Sequence, residues 1–114
     1  MSYQNTPLLT LSRTLSGTVA AHRFVTIGGA QAGADAVTLG VAQTAGVSGA
    51  VVPVDVIGTT IVESGAAITA GDTLESDASG RAVTWATSGA KVGKALEAAT
   101  AAGQFIEILL LDNA

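Results

Sequence analysis

The sequence predicts an all-β domain, a small β-barrel or β-sandwich of short antiparallel strands, and three observations carry that prediction. Runs rich in Val, Ile, Leu and Thr recur along the 114 residues, separated by glycine-bearing turns at close spacing. Stretches with a helical period are scarce. The chain also ends on Phe105-Ile106-Glu107-Ile108-Leu109-Leu110-Leu111, a run that alternates as a strand does.

Taken in order, residues 1–7 read as a flexible N-terminal arm ahead of a single β domain over 8–114. The arm is polar and ends in Pro7, which cannot donate to a ladder. Its residues Ser2, Tyr3, Gln4, Asn5, Thr6 and Pro7 are candidates for contact with a partner; the plain alternative is a frayed end. Leu8 to Thr14 reads as a strand with partial alternation, and Val19 with Phe24 to Ile27 supplies the next. Gly28 to Asp35 is a surface loop. Ala36 to Gln43 is again a strand. Ala50 to Glu63 is one long extended run in which Gly58 marks a bulge or corner and Pro53 an edge position or irregularity.

Ile68 to Asp72 is a turn entering a strand at Thr73 to Ser76. Asp77-Ala78-Ser79-Gly80 is a hairpin turn, with Asp77 able to cap its own backbone. Arg81 to Thr87 returns, and Trp85 on it is expected in the core, with ligand stacking as the alternative. Lys94 to Ala102 has helical propensity, but a short alanine-rich helix without an amphipathic face is marginal, so strand plus loop is preferred. In the closing strand Ile106, Ile108 and Leu110 share one face, and Phe105, Glu107, Leu109 and Leu111 the other. A strand apolar on both faces at its end needs cover on both sides. Leu109, Leu110 and Leu111 are therefore candidates for a subunit interface.

The chain also echoes itself. Gly40-Val41-Ala42, Gly49 and Val51 to Ile57 repeat Gly93-Lys94-Ala95, Gly103 and the closing strand. Ser16-Gly17 leading to Phe24-Val25-Thr26-Ile27 parallels Ser64-Gly65 leading to Asp72-Thr73-Leu74-Glu75. The offset is roughly fifty residues and drifts because the second hairpin is longer. Two readings fit: a duplicated unit, or two meanders that converge on the same turn chemistry.

Composition excludes several classes of function. Net charge is −4 with five scattered basic residues, so there is no basic footprint for nucleic acid or an anionic membrane surface. No apolar run approaches the ~20 residues that span a bilayer as a helix. With aromatics at 4% and no cysteine, the core rests on aliphatics, and disulfides and thiolate metal sites are excluded. Mean hydropathy is +0.51, so the excess apolar surface is expected to meet protein. The first residues lack a basic and apolar leader, and export by the usual route is not expected.

Reactive chemistry is thin. His22 is the sole histidine, and no GxSxG elbow accompanies it. Gly28-Gly29 and Gly33 lack a Walker lysine. Asp72, Glu75 and Asp77 cluster near one hairpin without calcium-loop spacing, which reads as turn capping. The approach to that hairpin resembles lipoyl and biotinyl domains, but Arg81 follows the tip where those carry a modifiable lysine. No enzyme activity, metal or cofactor is expected.

The Ala70-Gly71-Asp72 turn, the Asp77 to Arg81 hairpin, Val92-Gly93-Lys94-Ala95-Leu96-Glu97-Ala98 and the Gly103 to Leu110 ending together resemble the capsid cement, or head decoration, proteins of tailed phages. The resemblance spans most of the second half and, more loosely, Gly40 to Ala42. It implies a small β domain, a homotrimer, that binds the major capsid protein on the exterior of an expanded icosahedral head at local three-fold positions, after assembly in the host cytoplasm. It implies no catalytic residues. The competing expectation is a carbohydrate- or receptor-binding module of a virion or cell surface, for which Trp85 and Tyr3 are the aromatics best suited to stacking.

Overall fold

The computed structural model describes residues 7–86 and 89–110. Eight strands follow one another: β1 (Pro7–Thr14), β2 (Phe24–Val25), β3 (Gly40–Ala42), β4 (Val51–Glu63), β5 (Thr73–Ser76), β6 (Ala82–Thr84), β7 (Gly93–Ala95) and β8 (Phe105–Leu110). No helix occurs among the described residues, and Lys94 to Ala102 is strand followed by turns. The strand ladders are all antiparallel. They run in the order β2-β3-β4-β8-β7-β5-β6, with β1 also on β4, and the sheet nearly closes into a barrel.

Strand β4 holds the domain together. Its β-branched run favours extended backbone over thirteen residues. Up to Gly58 it pairs with β1 and β3, and from Thr59 it pairs with β8. The corner is at Gly58, whose φ of 103° no β-branched neighbour could adopt cheaply. The β1 register slips on both sides of Leu9 at the same place. Pro53 is not at an edge: β1 lies on one side, and on the other the Pro53 carbonyl accepts the Gln43 N–H at 3.0 Å. The reciprocal bond is impossible for proline, and β3 ends there. Strands read from sequence as Ala36–Gln43, Phe24–Ile27 and Arg81–Thr87 are each shorter in the fold, because their flanks bond across turns instead of along ladders.

The echo is a repeat of backbone hydrogen bonds. Val19 and Gly46 exchange N–H···O bonds of 2.9 and 3.0 Å; Ile68 and Ala99 exchange bonds of 2.8 and 2.9 Å. Leu39 N donates to Val25 O as Val92 N donates to Leu74 O. Gly49 N reaches Leu15 O as Gly103 N reaches Ser64 O, both at 2.8 Å. His22 N bonds Ala42 O as Gly71 N bonds Ala95 O, and both residues have positive φ, 62° and 94°. The first half is thus β1, β2, β3 and the start of β4. The second is the end of β4, β5, β7 and β8. Strand β6 belongs to the longer second hairpin, which accounts for the drift. Pairing shifts the alignment of the early segments by one residue, Phe24 matching Thr73 and Leu15 matching Ser64, since turn glycines alone carry no register.

Each half builds the same core. Val19, Val25, Ala42, Val52 and Val54 are buried together with Leu15 in the first. Their counterparts Ile68, Leu74, Ala95, Ile106 and Ile108 are buried in the second. Strands β2 and β3 also turn Phe24 and Val41 from their opposite face into this second core, beside Val62 and Ala82. One half therefore roofs the other.

Candidate docking surface

Strand β1 is the least covered element of the fold. Among the described residues it pairs with β4 alone, so its second edge offers backbone donors and acceptors. Six of its eight residues are exposed. Leu8 (77% exposed), Leu9 and Leu11 are among them, and Ile57 stands exposed opposite Leu9. No charged residue occurs from Pro7 to Ser12. Natural edge strands are usually blunted by charge, proline or a covering loop, and among the described residues Leu8 to Ser12 have none of these.

A buried polar knot fixes β1 to the sheet. Asp55 is fully buried, and its carboxylate accepts hydrogen bonds from Thr10 Oγ1 at 2.9 Å, Thr60 Oγ1 at 2.7 Å and Gln43 Nε2. Three donors stand in for the lost water, which lets a carboxylate sit there without a counter-charge. At the other end Arg13 donates to Ile27 O at 2.6 Å.

Of the arm residues named from sequence, Pro7 is half-buried as the first residue of β1, opposite Gly58. Ser2, Tyr3, Gln4, Asn5 and Thr6 lie outside the described residues, as does Leu111. In β8, Ile106 and Ile108 are fully buried and Leu110 packs against their core, as the alternation required. Leu109 is exposed on the outer face between Thr59 and Lys94, with Phe105 and Leu96 also exposed nearby. The exposure of Leu8, Leu9 and Leu11 was missed from sequence. Its only trace there is leucine at both parities of a short run that also lacks charge.

The other residues singled out fall into separate surroundings. Asp72 Oδ2 accepts from Thr69 N and Thr84 Oγ1, and Asp77 Oδ1 caps Ser79 N and Arg81 N, so both brace turns. Among the described residues no three His, Cys, Asp or Glu side chains are placed to hold a metal ion. The His22 ring meets the Phe105 ring edge-on at 5.4 Å. Arg23, Glu63, Arg81 and Asp77 form a half-exposed ion-pair chain across the two halves. Trp85 is half-buried and not in either core. Strand β6 stops at Thr84, and the ring lies under Lys91 Nζ at 4.6 Å with its Nε1 donating to Gly89 O. Glu75 is buried, and its carboxyl is held above the ordinary value first by loss of water and then by the neighbouring Asp35.

A comparison with curated protein sequences finds no match. Among solved structures, the N-terminal base of head fiber gp8.5 of bacteriophage phi29 is similar, with a TM-score of 0.74 and 20% identity over 92% of this chain and 95% of that one. At that identity the likeness speaks for the fold. The family model of the phage cement proteins matches residues 3–110, nearly the whole chain. The chain therefore belongs to the phage cement protein family, structural proteins of the phage capsid.

Proposed function

We propose that the protein decorates the exterior of an expanded phage head as a homotrimer at local three-fold positions, and that it stabilises the shell by bridging neighbouring copies of the major capsid protein. The observation that carries this reading is the edge of β1, uncovered among the described residues and uncharged from Pro7 to Ser12, with the residues Ser2 to Thr6 preceding it in sequence. An extended capsid segment added to that edge gains main-chain hydrogen bonds for affinity and the Leu8, Leu9 and Leu11 side chains for selectivity. Each such bond stabilises by about 0.5–1.5 kcal/mol net, which is weak for one subunit. Three linked contacts raise the effective concentration, and avidity exceeds a single contact by roughly 10²–10⁴-fold. Leu109, with Leu110 and Leu111 after it, is assigned to contact between subunits.

Co-sedimentation with expanded empty heads tests the docking half of the proposal. The intact protein saturates the heads, whereas a variant lacking residues 2–6, or carrying Leu9→Lys and Leu11→Lys, stays in the supernatant. Undiminished saturation by both variants refutes it. Leu109→Asp, run on a sizing column with light scattering, tests the subunit contact. A fall in mass from trimer is expected, and an unchanged mass removes Leu109 from the interface.

A further inference from the structure

The hydrophobic pattern of β1 does not say how the strand should lie on β4. None of its eight residues is buried, and Leu8, Leu9 and Leu11 fall on both faces of the strand. In such a strand register is weakly specified, and a one-residue slip turns every side chain to the other face. The fold itself holds two registers. From Thr10 opposite Asp55 to Thr14 opposite Val51 the strands run in step, and in that step Leu9 would face Val56. It faces Ile57 instead, one place out, with an irregularity on each side of it. The matching ladder of the second half runs without a slip from Thr59↔Leu109 to Glu63↔Phe105, because Val62, Ile106 and Ile108 are buried together on one face and fix it. Strand β1 has no such face.

What β1 does have is a polar contact. Asp55 is fully buried, with Thr60 on β4 and Gln43 just past β3 donating to its carboxylate, and from β1 Thr10 donates to it at 2.9 Å. A slip in one direction sets Leu11 opposite Asp55, and a slip in the other sets Leu9 there. Each takes a donor from a buried carboxylate and offers a side chain that cannot replace it. We propose that Asp55 is the positioning residue for β1, and that it stops the register seen at Leu9 from running down the strand. The far end is already pinned by the bond from Leu15 N to Ala50 O at 2.8 Å, so Asp55 decides only the stretch between Leu9 and Thr14. The consequence lies at the open edge. Alternate residues of an antiparallel strand turn their N–H and C=O groups toward the neighbour, so a one-residue slip exchanges the groups facing β4 with those facing outward. Asp55, itself out of reach of any partner, thereby sets which backbone groups and which leucines β1 shows to whatever docks on it. The register does not depend on the docking proposed above, and it is tested without capsids.

Cross-strand nuclear Overhauser contacts in the full chain read the register residue by residue. The intact protein shows Thr10 with Asp55, Leu11 with Val54 and Ser12 with Pro53. Exchanging two neighbours, Thr10→Leu with Leu11→Thr, keeps the composition and leaves Asp55 in place. Under the proposal β1 follows its threonine by one residue, and the contacts become position 11 with Asp55 and Ser12 with Val54. Were apolar cover of the first core in control, β1 would stay, or move the other way to bring position 10 opposite Val54. In Asp55→Ala the single register is lost, and both sets of contacts appear together. An unshifted or oppositely shifted register in the exchange variant overturns the proposal, and so does a single unshifted register in Asp55→Ala. A residue that only added stability would lower the unfolding midpoint and leave the contacts where they are. Should Asp55→Ala not fold, the exchange variant decides alone.

Discussion

Gly40 and Gly93 occupy matched positions in the two halves, and adding a methyl group to each gives a graded test of the repeat. A Cβ on Gly40 would land on the Asp55 carbonyl oxygen, with Asp55 C at 2.9 Å and Val54 Cγ1 at 3.2 Å. A Cβ on Gly93 would meet Leu109 O at 2.9 Å and Ile108 Cδ1 at 3.2 Å. Asp55 matches Leu109 and Val54 matches Ile108, so both glycines admit the same backbone approach of the closing strand. The first approach is far tighter. Gly40→Ala has to drive β3 off β4, where it is held by only two residue pairs, Val41↔Asp55 and Ala42↔Val54. Overpacking of this kind costs about 1–3 kcal/mol and more when backbone blocks the shift, so at least about 3 kcal/mol is expected for Gly40→Ala. Gly93→Ala needs a few tenths of an ångström and a turn of the Ile108 methyl, about 1–2 kcal/mol. The loss of unfolded-state entropy, roughly 0.4–1 kcal/mol in favour of alanine, applies to both and cancels in the comparison. Urea unfolding followed by circular dichroism measures the difference at unchanged slope. Equal midpoints, or Gly93→Ala the weaker of the two, would refute the packing argument.

Three more outcomes follow from the same contacts. Thr10→Val removes one hydrogen bond to the buried Asp55 carboxylate and should cost about 1.5–3 kcal/mol, with hydrogen exchange accelerating first in β1; uniform acceleration throughout the domain would count against a local anchor. Phe24→Ala empties the roof over the second core and should cost about 3–5 kcal/mol by thermal unfolding, with both halves melting together because the core is shared. Arg81→Met severs both Arg81 ion pairs, to Glu63 at 3.8 Å and to Asp77 at 3.3 Å, each partly exposed, and should change stability by no more than about 1 kcal/mol, and by less in high salt.

The architecture was largely legible because its signals are local. The Gly58 corner, the Asp77 to Gly80 hairpin and the Ile106/Ile108/Leu110 face each follow from backbone freedom or alternation within a few residues. The repeat showed in its turn glycines, yet its register came out one residue off in the early segments, where only cross-strand bonds fix alignment. Of the two readings of Pro53, an edge or an irregularity, the fold shows the second. Proline marks the absence of one ladder bond, not an edge, and here the bond is missing because β3 stops at Ala42. The candidate site was harder to read. Leu8, Leu9 and Leu11 have the composition of a core strand, and whether such a strand is covered depends on elements distant in sequence. The same holds for Trp85, hydrophobic enough for a core but placed beyond the end of β6, and for Glu75, whose burial beside Asp35 joins residues forty positions apart.

The repeat itself argues that the bare strand is not an accident of folding. By the matched ladders, Leu11 corresponds to Thr60 and Arg13 to Val62. In the second half these positions are sealed by the first: Val62 packs with Phe24 and Val41, Thr60 bonds Asp55, and Glu63 N donates to His22 O. In the first half nothing among the described residues does the same, and β1 keeps three leucines at the surface. The stack cannot simply continue with another copy in the same manner. The surface that roofs the second core is Phe24 and Val41, already used, and its counterpart in the second half is Thr73 and Lys94, polar and partly or wholly exposed. One end of the pair is thus finished for water while the other retains an apolar, hydrogen-bonding edge. On the docking proposed above, a partner for that edge brings a different surface, and an extended strand would supply the backbone groups and apolar side chains it lacks.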